Sequence, residues 1–265
     1  MIPRRVVLTD LDGTLLDSHD FGFAPALPAI ERLRVEEIPL IPVTSKTMAE
    51  VVTLAAALGL PGPVIVESGA AIASREAGGW TLIPFGISVT EIRMRAREIE
   101  ARSNARFRLY SEMDESEAEM ISGLKGLALG QSRLRQFEEP FILLEGDLDR
   151  VRRAAAAAGL VVRQGGRLLH LCGPVTKGDA ARRLLWTWTN RPYVIALGDA
   201  PIDADFLALA DLAVIVPGVD GTPNAALREA VPEAIVAPAP GARGWNAAIL
   251  AILGEQGGVS DAIAR

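Results

Sequence analysis

Three short apolar runs, Val6–Thr9, Pro39–Val43 and Val64–Glu67, alternate with two stretches of helical periodicity in the first third of the chain. No other feature restricts the fold as strongly. Parallel strands need crossover connections, and a helix between successive strands is the common one. Continuous Val, Ile and Leu runs predict strands covered on both faces. Ala24–Glu36 carries Ile30 and Leu33 at helical spacing, and Thr47–Leu58 is Ala-rich and closed by Gly59. Gly78-Gly79 between Ala70–Ser74 and Trp80–Pro84 predicts a hairpin. The expected core is a doubly wound α/β fold built on a parallel sheet.

Near Gly86 the rhythm changes. The charged helix Thr90–Ser103 leads into a polar stretch, Ser111–Glu119, and then a helix-loop segment reaching Arg135. Phe141–Leu144, Leu160–Arg163 and Arg167–Leu171 read as strands, with the Ala-rich helix Asp149–Ala158 between the first two. The β-α-β pattern resumes with a helix at Gly178–Trp188 and the strand Tyr193–Leu197. A helix near Asp203–Leu209, the strand Leu212–Val216 and a last helix at Trp245–Leu253 follow. The expected organisation is a discontinuous core, 1–84 and 171–265, interrupted by an α+β cap at 85–170. The polar tail Gly257–Arg265 is expected to fray.

The chemistry-bearing residues fall at predicted strand ends, where open α/β sheets bind ligands. Asp10-Leu11-Asp12-Gly13-Thr14 follows the first strand. In extended backbone Asp10 and Asp12 project to one side and Leu11 to the other. Two carboxylates so close repel unless a cation lies between them or one is protonated. The pair points to magnesium-assisted phosphoryl transfer, with Asp10 as nucleophile and Asp12 as proton donor and acceptor. Thr44 ends the second strand, and its hydroxyl together with the Ser45 amide suits a phosphoryl oxygen. Lys177, at a helix entry, supplies a compact positive charge for phosphate. Asp199 and Asp203 follow the strand Tyr193–Leu197 and complete a magnesium site with Asp10, the Asp12 carbonyl, phosphate and water. Among 27 basic residues only Lys46, Lys125 and Lys177 are lysine, and two of these three lie in the segments chosen for phosphate. His170 is expected to be packed or hydrogen-bonded locally, and no partners for a histidine nucleophile are evident.

That order of motifs, DLDGT, a strand ending in Thr44, Lys177, then Gly198-Asp199 with Asp203, resembles the haloacid dehalogenase superfamily along nearly the whole chain. The resemblance implies a Rossmann-like core, a larger α+β cap, Mg2+ dependence and phosphatase activity. The segments Pro42–Thr47, Val66–Ile72, Arg135–Phe141 and Arg243–Asn246 resemble the mannosyl-3-phosphoglycerate phosphatase family, in which Thr-Ser-Lys-Thr replaces the Thr-Gly-Arg of many relatives. By that resemblance Ser45 and Lys46 lie near the phosphate or the glycerate carboxylate, while Arg135 and Glu139 on the cap face the sugar and glycerate. Ile202 stands where relatives usually carry Asn, and Thr176-Lys177-Gly178 replaces a frequent Asp-Lys-Gly.

The implied reaction is hydrolysis of mannosyl-3-phosphoglycerate to mannosylglycerate and phosphate through an aspartyl-phosphate. Alternatives are glucosyl-3-phosphoglycerate or another sugar phosphate, transfer to a sugar hydroxyl by a phosphomutase or phosphotransferase, and a non-catalytic phosphate-ester-binding module. A net charge of −6 opposes an electrostatically driven nucleic-acid binder. No apolar run approaches the ~20 residues of a membrane span. One cysteine, Cys172, excludes an intramolecular disulfide. With a strand pattern beginning almost at once, the expectation is a cytoplasmic protein whose partner is a small phosphorylated sugar or glycerate, with no membrane or nucleic-acid partner. Nothing in the sequence assigns an oligomeric state.

Overall fold

A computed structural model describes residues 3–165 and 168–255. The predicted fraying tail, and Arg167 of a predicted strand, lie outside the described residues. The chain forms two compact units: 1–44, 62–65 and 177–265 in the first, 45–61 and 66–176 in the second. The sequence boundaries place 45–84 in the core, of which 62–65 lie in the first unit. In the structure, 45–61 and 66–84 make most of their contacts with the second unit.

The first unit is a parallel sheet. Its strands lie in the order Ile235–Val236, Leu212–Ile215, Tyr193–Gly198, Arg5–Thr9, Leu40–Pro42, and a parallel bridge from Val43 to Ile65 extends it. Val6, Val7, Leu8, Val194, Ile195 and Ala196 are all buried, as continuous apolar runs require. From Arg5–Thr9 the chain steps to one side through Leu40–Pro42, whereas Tyr193–Gly198 and its successors build the other side. The strand order therefore reverses between Arg5–Thr9 and Tyr193–Gly198, and the crevice at their carboxyl ends is the topological switch point. Register puts Thr9 opposite Leu197, and the Asp10 amide donates to the Leu197 carbonyl at 2.9 Å. Asp10 is therefore level with Gly198, and Asp199 follows one residue on along the adjacent strand.

Helices Leu27–Val35 and Gly241–Glu255 pack against each other, and the Ala29 amide donates to Asn246 Oδ1 at 2.9 Å. Trp245 is fully buried, its indole N–H on Thr9 Oγ1 at 3.0 Å. This ties the last helix to the strand that presents Asp10.

In the second unit an antiparallel sheet runs in the order Arg106–Leu109, Glu138–Glu145, Leu169–Cys172, Val161–Gln164. Helices Val89–Ser103 and Leu148–Ala157 lay Ile92, Ala96, Ile99, Val151 and Ala155 onto Phe107, Phe141 and Leu171. Met48–Leu58 carries a complete capping box, Thr47 with Glu50, worth about 1 kcal/mol, and ends at Gly59 in the left-handed region. The predicted hairpin is present as Ala71–Glu76 paired with Gly79–Pro84. Helix Glu115–Ser122 begins within the stretch read as polar, and Gly126–Ser132 lies in the expected helix-loop segment. Among the described residues no helix is long and apolar enough to cross a membrane.

Candidate active site

Asp10, Lys177, Asp199 and Asp203, scattered over almost two hundred positions, meet at the switch point. Asp10 stands one residue beyond its strand, and Lys177 opens the helix Lys177–Trp186. Lys177 Nζ donates to Asp10 Oδ1 and to Asp203 Oδ1, both at 2.7 Å. The lysine is 2 % exposed and Asp203 0 %, so both contacts form in a low-dielectric setting where unpaired charge is expensive. The Phe206 ring lies 5.8 Å from the ammonium and covers another side of it.

Asp203 closes the 3-10 turn Pro201–Asp203. Its second oxygen accepts the amides of Asp199 and Ala200, each at 3.0 Å. Ile202, at the position where the resemblance implies Asn, takes no part in these bonds. Thr14 Oγ1 donates to Asp199 Oδ1 at 2.9 Å. Opposite, Gly13 at φ +86° leaves no room for a side chain: a Cβ there would lie 2.6 Å from Asp199 Oδ2. Gly178 is equally constrained, because a Cβ would meet the Asp205 backbone at 2.8 Å and push the lysine-bearing helix outward.

Electrostatics follow from burial. Burial, with the Asp10 and Asp203 charges adding to it, pushes the Asp199 carboxyl up to about 8. Burial pushes Asp203 up to about 6 against the pull of Lys177. Burial works against the Lys177 charge too, but Asp10 and Asp203 outweigh it and hold the ammonium above the ordinary lysine value. Three acidic side chains thus crowd together, and one ammonium bonds two of them. Oxygens of Asp10, Asp199 and Asp203 all lie within 4.8 Å of one another. A hard, all-oxygen donor set that is short of positive charge fits a divalent cation of the magnesium kind.

Thr44 is fully buried, with its amide on the Ile65 carbonyl at 3.0 Å. Asp12 is half-buried in the tight turn after Asp10, where Gly13 N donates to Leu16 O and Leu16 N to Leu11 O. Both belong to the first unit, whereas Ser45, Lys46, Arg135 and Glu139 belong to the second. Lys46 Nζ lies 3.7 Å from Glu50 Oε1. Arg135 donates to the carbonyls of Ser45 and Ser132 and to Glu138 Oε1. Glu139, expected to face the sugar, is 0 % exposed: Arg93 Nε donates to one oxygen at 2.6 Å and the Ser111 amide to the other at 2.9 Å. Both its oxygens are used inside the unit. His170 is hydrogen-bonded locally, with Nδ1 2.8 Å from Glu138 Oε2.

Sequence reasoning gives no role at Asp199 to Gly13 and Thr14, which seat it, and none to Glu67 and Glu138, which are buried acids of the second unit. Glu67 and Ser68 are consecutive residues at φ 44° and 56°, a strain on the order of 1–3 kcal/mol each. The available signal was an acid directly after the apolar run Val64–Val66 and another opening the strand Glu138–Glu145.

A family profile described as haloacid dehalogenase-like hydrolase matches residues 7–115. The glucosyl-3-phosphoglycerate/mannosyl-3-phosphoglycerate phosphatase of Persephonella marina is 31 % identical over 94 % of this chain and 97 % of that protein. The chain belongs to the haloacid dehalogenase-like hydrolases. As a member it is an enzyme, a phosphoric monoester hydrolase. The phosphatase of the same description from Methanococcoides burtonii is likewise 31 % identical, over 97 % of this chain and all of that protein. A solved Thermoplasma acidophilum structure shares the fold with a TM-score of 0.71 at 19 % identity, covering 95 % of this chain and 99 % of that one.

Proposed function

We propose that the chain is a cytoplasmic, Mg2+-dependent phosphomonoesterase that hydrolyses mannosyl-3-phosphoglycerate, glucosyl-3-phosphoglycerate, or both, through an aspartyl-phosphate on Asp10. One observation carries the chemistry: Lys177 Nζ bridges Asp10 and Asp203 at 2.7 Å at the switch point of a parallel sheet. An Asp10 carboxyl group held by a buried ammonium is a nucleophile with its position set. The names of the two relatives support the substrate class.

In this reading an Asp10 oxygen attacks phosphorus while the phosphorus–oxygen bond to the glycerate breaks. Asp12 gives its proton to the departing alkoxide, then takes one from the water that cleaves the acyl phosphate and regenerates Asp10. Thr44, the Ser45 amide and Lys177 hold the phosphoryl oxygens, and Lys46 serves the phosphate or the glycerate carboxylate. Asp10, Asp199 and Asp203, with the Asp12 carbonyl, would hold the magnesium ion, which neutralises charge on the transferring group. Residues 85–170 are read as the cap that selects the ester. The test is phosphate release from a panel of glycosyl-3-phosphoglycerates and hexose phosphates, with magnesium and after chelation. The reading expects metal-dependent turnover of the glycosyl-3-phosphoglycerates and none with Asp10→Asn. Absence of release from every ester overturns it.

A further inference from the structure

Three segments of the second unit, 45–47, 67–68 and 131–138, are tied to one another in a closed ring. Arg135 Nη1 donates to the Ser45 carbonyl at 2.9 Å and to Glu138 Oε1 at 3.3 Å. Thr47 Oγ1 donates to the Gln131 carbonyl at 3.0 Å. The Glu67 amide donates to the Lys46 carbonyl at 3.0 Å. The Glu67 carboxylate, in turn, collects three successive amides: Gln136 at 2.9 Å, Phe137 at 2.7 Å and Glu138 at 3.1 Å. Ser68 Oγ donates to Glu138 Oε1 at 3.2 Å, and His170 Nδ1 closes on the other Glu138 oxygen.

Glu67 and Glu138 are 2 % and 1 % exposed. Neither is a reacting group in the mechanism above. Burying two carboxylates is costly, and the cost is offset only where each oxygen finds donors, as here. The consequence falls on the backbone just after Thr44. Consecutive carbonyls, Ser45 and Lys46, are each held by a donor from a different segment. A trans peptide is planar with C=O and N–H opposed, so pinning the Ser45 carbonyl on Arg135 also aims the Lys46 amide away from it.

We propose that Arg135 and Glu67 are positioning residues for the backbone Ser45–Thr47, holding the peptide planes on either side of Lys46 for any phosphate ester, and that Arg135 does not read the sugar. This rests on the reading that Thr44 and Ser45 grip the phosphoryl group. It predicts a substrate-blind defect. A residue that touches the sugar or glycerate matters only for esters carrying them. A residue that sets the phosphate grip matters equally for p-nitrophenyl phosphate.

The experiment compares wild type, Arg135→Ala, Arg135→Lys and Glu67→Gln on p-nitrophenyl phosphate and on mannosyl-3-phosphoglycerate, together with hydrogen exchange of the amides at 45–48. Arg135→Ala and Glu67→Gln are expected to lower kcat on both esters by the same factor, on the order of 10-fold or more. Arg135→Lys, which keeps a donor, is expected to recover part of it. Exchange at 45–48 should quicken while the strands Arg106–Leu109 and Glu138–Glu145 keep their protection. A loss confined to the glycosyl ester overturns the inference, as does unchanged activity, or exchange that rises across the whole unit. If wild type cleaves neither ester, the parent reading fails by itself. The exchange data then decide the holding role alone, and unaltered exchange at 45–48 overturns it.

Discussion

Gly13→Ala is a minimal change with a consequence that can be worked from the geometry. Gly13 lies at φ +86°, where a side chain costs about 1–2 kcal/mol. The added Cβ would stand 2.6 Å from Asp199 Oδ2 and 3.0 Å from its Cγ. To regain ordinary contact the carboxylate must retreat by roughly 0.8 Å, and misplacement of about 1 Å at a reacting site can cost on the order of 100-fold in rate. The retreat also stretches the bond from Thr14, which is 2.9 Å in the intact protein and worth about 1 kcal/mol. The expected result is an unfolding free energy lower by about 2–3 kcal/mol and a turnover lower by about 10- to 100-fold. The magnesium concentration for half-activation should rise, because Asp199 is a proposed ligand. Urea unfolding and phosphate release at graded magnesium read all three. Wild-type turnover with an unshifted magnesium midpoint would refute the close packing of Gly13 on Asp199 as the reason for glycine there.

Lys177→Met leaves Asp10 and Asp203 buried without their ammonium; the expected loss is about 3–5 kcal/mol in urea unfolding, with no detectable turnover. Burial works against the Glu138 charge, but His170 and Arg135 outweigh it and hold its folded value at about 2, below the ordinary 4.5. Its contribution is therefore present above pH ~4.5 and lost as pH falls toward 2, about 3 kcal/mol in all, and Glu138→Gln should flatten the fall in urea midpoint between pH 5 and 3. Trp245→Phe removes the indole bond to Thr9, and calorimetry should show a loss of about 1–2 kcal/mol.

The core was legible because its signals are local. The continuous apolar runs lie on the strands that they specify, Arg5–Thr9, Leu40–Pro42 and Tyr193–Gly198. The reactive set was legible because each member sits at a strand end or helix start. The second unit was harder to read. The strand Glu138–Glu145 opens with two acids that resemble surface residues in sequence, and donors outside the strand, Arg93 and the Ser111 amide on Glu139, Ser68, Arg135 and His170 on Glu138, make them tolerable inside. Arg106–Leu109 alternates charged and apolar residues over only four positions, too short a run to stand out. The roles of Gly13 and Thr14 depend on Asp199, which lies 185 positions beyond Thr14. The family resemblance implies an Arg135 that faces the substrate; in the structure its guanidinium donates to Ser45 and Glu138.

The central claim is that Asp10 carries the phosphoryl group, and it can be caught in the act. Wild-type protein turning over mannosyl-3-phosphoglycerate with magnesium is quenched with borohydride, which reduces an acyl phosphate to the alcohol, and the peptides are sequenced by mass spectrometry. The account predicts homoserine at position 10, dependent on substrate and absent from Asp10→Asn. Phosphate release with Asp10 unmodified and the label on another carboxylate would contradict it.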